Sequence, residues 1–212
     1  MHESLMRQCL EQMRVSLDDR QMEQLSTYDG LLQRYNPEIK MCKAEGDDFI
    51  IRHYADSLVG VPLLTQIASH YHHPTIADLG SGAGLPGIPL AIALPGYRFV
   101  LIERMHKRAD FLRLVIDACK LDNVGVLEQR LVEVEKRFTI VTCRAFHPFY
   151  DIEREVDSVL AEGGMLMLYK GRSETIQEEL AQVKGGWRFA VHPVAVPMLD
   201  AERALVIGTR KL

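Results

Sequence analysis

From residue 75 onward, short aliphatic or β-branched runs alternate with stretches of helical periodicity, and no other feature restricts the possible folds of this chain so sharply. The runs are TIADL (75–79), YRFVLIE (97–103), VGVL (124–127), FTIVTC (138–143), GMLMLYK (164–170), WRFAVHPV (187–194) and RALVIGTR (203–210). Helices are predicted between them at 86–94, 106–120, 129–136, 150–161 and 173–184. A strand, a helix and a second strand in succession return the chain parallel to itself by a right-handed crossover. The pattern therefore predicts an α/β fold with a mainly parallel seven-stranded sheet and helices on both faces. No helix separates the last two runs, which are expected to close the sheet as an antiparallel pair.

Residues 1–70 follow a different rhythm. Leu5, Cys9, Met13 and Leu17, then Met22, Leu25, Tyr28, Leu31, Leu32 and Tyr35, recur at helical spacing and predict two amphipathic helices that end near Asn36-Pro37. A third helix is expected from Ile51 to Ala68, after a turn at Gly46-Asp47-Asp48 that supplies a capping acid. An N-terminal helical extension (1–70) on a core (71–212), forming one structural domain overall, suits a chain of 212 residues.

Composition narrows the class further. Apolar residues at 47% and charged residues at 25% fit a soluble globular protein and argue against disorder or a fibrous repeat. No apolar run is long enough to cross a bilayer and MHESLMRQCLEQM is not shaped like a signal peptide, so a cytoplasmic location and no membrane partner are expected. Cys9, Cys42, Cys119 and Cys143 lie far apart, which reads as reduced thiols with no metal site. Net charge is −4, so contacts to a nucleic acid must come from a local basic face.

The stretch Asp78-Leu79-Gly80-Ser81-Gly82-Ala83-Gly84-Leu85-Pro86-Gly87 follows the first strand and leads into a helix. Gly80, Gly82 and Gly84 allow a tight turn and close approach of a ligand beside a helix N-terminus, the arrangement that suits a nucleotide-like molecule. Gly82-Ala83-Gly84-Leu85-Pro86-Gly87 also fits the dinucleotide fingerprint, which is weak evidence alone. Glu103, ending the second strand, stands where a carboxylate would accept ribose hydroxyls from either ligand, or would pair with Arg104, Lys107 or Arg108. Asp78 distinguishes the ligands. A carboxylate just before the first glycine repels a pyrophosphate and attracts the sulfonium and ammonium of S-adenosylmethionine (S-adenosyl-L-methionine).

Taken together, IRHYADSL (51–58), DLGSGAGLPGIPLAI (78–92), LIERMHKRADFL (101–112), CRAF (143–146), YKG (169–171) and ERALVI (202–207) resemble the glucose-inhibited division protein B family, the RsmG-type small-subunit rRNA methyltransferases. The resemblance covers nearly the whole chain. It implies a Rossmann-like class I methyltransferase fold, S-adenosylmethionine as cofactor, 16S rRNA or the small ribosomal subunit as partner without an obligate protein partner, and methylation of N7 of one guanine. The cofactor contacts it implies fall on Gly80, Leu85, Leu131, Val132 and Arg144, with Glu103 at the ribose. The third-strand exit departs from the family pattern: Arg130 is followed by Leu131, Val132 and Glu133, so no cofactor contact is assigned to the Glu133 side chain.

Further candidates divide between structure and function. Arg144 ends the fourth strand and is either a structural ion-pair partner or, with His53, a positioning residue. Arg52 and Asp56 are four apart and predict an intrahelical ion pair, while the resemblance makes Arg52 and His53 RNA contacts. Lys170 and Arg172 after the fifth strand suit RNA phosphates or a solvated loop. Arg203 is read as a structural partner of Glu202, and Cys143 as a core thiol. Phe146, Phe149 and Tyr150 are candidates to stack on a base. No Asn/Asp-Pro-Pro-aromatic motif follows the fourth strand, which disfavours an exocyclic amine as target. Guanine N7 is already a lone pair, so no catalytic general base is expected. Two rival readings are an NAD(P)-dependent reductase and a non-catalytic ribosome-assembly protein on the same fold.

Overall fold

The computed structural model describes residues 1–43, 46–145 and 147–211. Seven strands form one sheet: β1 (Thr75–Leu79), β2 (Arg98–Ile102), β3 (Val124–Leu127), β4 (Phe138–Arg144), β5 (Leu160–Lys170), β6 (Trp187–Val194) and β7 (Arg203–Arg210). Their order across the sheet is β3-β2-β1-β4-β5-β7-β6. The first five run parallel, while β7 is antiparallel to both of its neighbours, β5 and β6. The expected antiparallel pair is therefore present, with β7 inserted between β5 and the edge.

Central strands are apolar on both faces because both faces are covered. Ile76, Phe99, Ile140, Met167 and Leu205 pack with Leu64 and Ile67 of α5 (Val61–Ala68) and Leu90 of α6 (Gly87–Ala93). On the other face Ala77, Leu79, Ile102, Val141, Leu166 and Val206 meet Phe149, Ile152 and Val156 of α8 (Phe149–Val159) and Ile176 of α9 (Ser173–Ala181).

The first 70 residues do not stand apart from this core. Helices α1 (Glu3–Met13) and α2 (Asp19–Ile39) bury Met6, Cys9, Leu25, Tyr28 and Leu32 in one cluster with Ile88 and Ile92 of α6 and Phe111, Leu112 and Val115 of α7 (His106–Ala118). Asp18 caps α2 in a reciprocal box with Gln21, whose amide also donates to the Ile92 carbonyl at 2.7 Å. Among the described residues no helix is long and apolar enough to cross a membrane, and all four cysteines are free thiols.

Three sequence expectations are corrected. α2 runs through Pro37 to Ile39, since a proline in the last turn forfeits few bonds, and the Asn36 side chain accepts from the Met41 and Cys42 amides to redirect the exit. The third helix starts earlier and is not regular. Gly46, Asp47 and Asp48 belong to α3 (Gly46–Phe49), which passes through a π-helical stretch (Ile50–Ala55) into α4 (Asp56–Leu58). A break at Val59-Gly60 precedes α5, where Tyr169 presses against Gly60 and donates to the Ser57 carbonyl at 2.7 Å. The helix predicted at 129–136 is a single 3₁₀ turn, Leu131–Glu133. Between residues 128 and 137 only Val134 is buried, so a helix there has no apolar face to dock.

Candidate functional site

The chain leaves β1 in a turn whose glycines hold left-handed backbone: φ is +62° at Gly80, +55° at Gly82 and +95° at Gly84. A side chain at these positions would be strained, and at Gly84 it would also strike Ile88 and Leu112. Four groups hold the turn. The Gly80 amide donates to the Ile102 carbonyl at 2.9 Å, and the Gly82 amide donates to Glu103 Oε2 at 3.0 Å. The Gly87 amide donates to Asp78 Oδ2 at 3.2 Å, and the Tyr28 hydroxyl donates to the Ala83 carbonyl at 2.7 Å.

Two carboxylates thus lie under the turn. Glu103 is 4% exposed and its second oxygen accepts from the Met105 amide at 2.8 Å. Its partners are backbone amides; among the described residues it forms no ion pair with Arg104, Lys107 or Arg108. Asp78 is fully buried and its Oδ1 has no hydrogen-bond partner among the described residues. Burial pushes its carboxyl up to about 7, against the pull of Ser81, the Gly87 amide and Arg144.

Beside the turn opens a cleft of about 830 Å³ at the carboxyl ends of β1, β4 and β5. Gly80, Gly82 and Leu85 form one wall, Arg52, His53 and Asp56 a second, and Arg144, Lys170 and Arg203 a third. Arg144 donates to Asp56 Oδ2 at 2.8 Å and to the Arg52 carbonyl at 3.2 Å, while Arg203 Nε donates to Asp56 Oδ1 at 2.6 Å. One buried aspartate therefore fixes two arginines, one ending the central strand β4 and one starting β7, and the helical segment that carries it is clamped to those two strand ends.

This arrangement corrects two pairings expected from sequence and gives Lys170 and Glu133 partners of their own. Arg52 pairs with Asp48, not Asp56, because the π-helical stretch winds more residues per turn and rotates Asp56 toward the sheet. Arg203 takes Asp56 as its partner, and the Glu202 carboxylate instead accepts from the amide and hydroxyl of Ser173. Lys170 does not present a free ammonium to RNA phosphates: it lies 2.6 and 2.9 Å from the two oxygens of Glu179 and its side chain is 17% exposed. The Glu133 carboxylate accepts from the Arg130 amide at the start of the 3₁₀ turn, a local cap.

Among the described residues His53 has no partner at either ring nitrogen, both of which are buried, and its ring meets Phe49 edge-on at 4.6 Å. Burial first, and then Arg144, lower its pKa to about 4, so the imidazole is neutral at physiological pH. Arg172 is exposed beside Gly171. Leu131 and Val132 lie outside the cleft, past the end of β3, the strand whose Leu127 carbonyl accepts from the Glu103 amide. The Cys143 thiol is pushed up to about 12 by burial, as a core residue would be. Phe149 is also core, packed against Trp187 and Phe189. Tyr150 is partly exposed, and Phe146 lies outside the described residues.

Sequence reasoning missed two residues of the site. Arg108, in the first turn of α7, lines the cleft with its Nε buried and without a hydrogen-bond partner among the described residues; the basic pair in LIERMHKRADFL was the available signal. Tyr28 reaches the glycine turn from 55 residues away and read only as a core position of α2.

Residues 21–206 match the model of the family described as rRNA small subunit methyltransferase G. A ribosomal RNA small subunit methyltransferase G from Brachyspira hyodysenteriae is 34% identical over 196 residues, covering 91% of this chain and 93% of that protein. Among solved structures, a mutant of MtNAS in complex with S-adenosylmethionine aligns with a TM-score of 0.59 at 16% identity, over 89% of this chain and 72% of that one. A SAM-dependent O-methyltransferase from Thermotoga maritima aligns with a TM-score of 0.55 at 16% identity, over 72% and 64% respectively. At such identity the structural likenesses speak to the fold alone.

Proposed function

The chain belongs to the rRNA small subunit methyltransferase G family, and from that premise we propose that it transfers a methyl group from S-adenosylmethionine to N7 of a guanine in 16S rRNA, free or within the small ribosomal subunit. The observation that carries the reading is one juxtaposition. A glycine turn laid over a buried carboxylate opens onto a cleft lined by Lys43, Arg52, Arg108, Arg144, Lys170 and Arg203 against, among the described residues, the acids Asp56 and Glu179. In a protein of net charge −4 this is a local basic face, the requirement for engaging a polyanion.

The residues fit the cofactor. A fully buried carboxylate with an oxygen lacking a partner is suited to a neighbouring cation, whereas the pyrophosphate of a dinucleotide would be repelled. When bound, S-adenosylmethionine supplies an electrophilic methyl group on its sulfonium. In this reading Gly80, Gly82, Gly84 and Leu85 shape the seat, Asp78 complements its charge, Glu103 receives the ribose, Leu131 and Val132 border the adenine, and Arg144 holds position at the cleft wall. Arg52, His53 and Arg172 meet the RNA.

The acids of the cleft are already committed, Asp56 to two arginines and Glu179 to Lys170. That suits a target with no proton to remove, for which alignment with the methyl group is the main requirement. In this reading the protein works in the cytoplasm, without a membrane or an obligate protein partner. Incubation with radiolabelled S-adenosylmethionine and unmodified 16S rRNA or small subunits, followed by mass mapping, is the test. Label at a single guanine N7 is expected; label at an amine or a pyrimidine carbon, or none on either substrate, overturns the assignment.

A further inference from the structure

We propose that Tyr28 is a positioning residue for the cofactor, and that with Tyr54 it fastens the glycine turn to the RNA-facing helical segment. The proposal rests on the reading above and extends it to residues outside the cleft. Tyr28 is fully buried on α2, and its hydroxyl donates to the Ala83 carbonyl at 2.7 Å. Ala83 lies between Gly82 and Gly84, in the most permissive part of the backbone, where three left-handed glycines leave the turn with little stiffness of its own. The Ser81 hydroxyl bonds back to the Asp78 carbonyl, so among the described residues the hydroxyl that reaches Ala83 comes from α2.

The next residue continues the link. Asp29 accepts from the Tyr54 hydroxyl at 2.8 Å and also holds the Met1 amino group at 3.0 Å. Tyr54 is buried in the π-helical stretch, directly after Arg52 and His53. The Tyr28 and Tyr54 rings meet edge-to-face, centroids 5.7 Å apart, so the two contacts form one packed unit. The wall that would receive RNA and the turn that would receive the cofactor are thus fixed to the same pair of tyrosines, through contacts that water does not reach. A buried carbonyl deprived of its donor gains nothing in exchange, and the turn must shift or open to find one.

Tyr28→Phe keeps the ring packing and removes only the donor. Isothermal calorimetry with S-adenosylhomocysteine should show Kd raised about three- to tenfold, the range of one net hydrogen bond. KM for the methyl donor should rise by a similar factor while kcat at saturation stays within about twofold, because the defect is in seating the cofactor. Tyr54→Phe should shift Kd in the same direction by less. Hydrogen exchange of the amides of residues 82–85 should quicken in Tyr28→Phe while those of β1 and β4 do not, a readout independent of any ligand.

A folded Tyr28→Phe protein with wild-type Kd and wild-type exchange at the turn overturns the proposal. So does a variant whose melting temperature alone falls, which would make Tyr28 an ordinary core residue. Failure of the functional reading looks different: the wild-type protein itself would not bind S-adenosylhomocysteine, whatever the exchange data show at the turn.

Discussion

Asp78 and His53 carry opposite pH signatures. The Asp78 carboxyl is raised from its ordinary 3.8 to about 7 by burial, so between those values the folded chain holds a proton that the unfolded chain has released. Its contribution to stability is present in acid and is lost as pH rises through 7. Asp78→Asn should therefore flatten the fall in melting temperature between about pH 4 and pH 7 in the ligand-free protein, and at the same time weaken S-adenosylmethionine more than the uncharged sulfide S-adenosylhomocysteine. Scanning calorimetry against pH reads the first effect, and a variant with an unchanged slope would show that the carboxyl does not titrate there. For His53, lowered from 6.5 to about 4, stability is fully present above 6.5 and is lost as pH falls through 4.

Glu103→Ala is the second test at this scale. It removes a buried acceptor from the Gly82 and Met105 amides as well as from a ribose, and hydrogen bonds to a charged group are worth about 1.5–3 kcal/mol. Cofactor Kd should rise more than tenfold by calorimetry. An unchanged Kd in a folded variant would remove Glu103 from the site.

Among elements, strands were readable and the helical wall of the cleft was not. TIADL, VGVL, WRFAVHPV and RALVIGTR coincide with β1, β3, β6 and β7 because a strand covered on both faces, or paired at a sheet edge, leaves a compact apolar run between breaks. Helix periodicity assumes α geometry. A π-helical stretch breaks that assumption without any marker in the residue types, which is why the Arg52–Asp56 pair was expected and Arg52–Asp48 forms. Pairings such as Arg203 with Asp56, 147 residues apart, have no local signature at all. The glycine turn was legible in detail because backbone conformation at Gly80, Gly82 and Gly84 depends on residue type directly.

The same wall yields a prediction. Arg52 is half-exposed with only a surface partner, and Arg172 is exposed, so both are free to meet phosphates. Neutralising both to Gln should raise the RNA KM and flatten the salt dependence of binding by roughly 0.7–0.9 in log–log slope per lost contact, leaving cofactor affinity as it was. An unaltered slope places the RNA elsewhere on the surface.

For the molecule as a whole, the commitment of the two carboxylates that line the cleft, together with the N7 target proposed above, sets the expected pH behaviour of the reaction. The imidazole of His53 is neutral across the working range, and the carboxylates of Asp56 and Glu179 are held in ion pairs. Single-turnover rates with saturating RNA and cofactor should be nearly flat from about pH 6.5 to 8.5, the interval above an unperturbed histidine. A tenfold rise per pH unit that vanishes in His53→Gln or in His147→Gln, the other histidine lining the cleft, would establish a general base, and with it a target other than N7.

The placement of β7 has a consequence for how the chain is made. Synthesis proceeds from the N-terminus, yet β5 and β6 are not neighbours in the finished sheet: each pairs with β7, which is translated after both. Until residues 203–210 emerge from the ribosome, β5 presents an open edge of unpaired amides and carbonyls, and an edge of that kind invites pairing with other chains. Arg203 arrives with the same strand, so one half of the clamp on Asp56 is the last part of the cleft to be installed. A nascent chain can thus lay down the glycine turn early, while the Asp56 clamp on the cleft's basic wall stays half-built until β7 has been made.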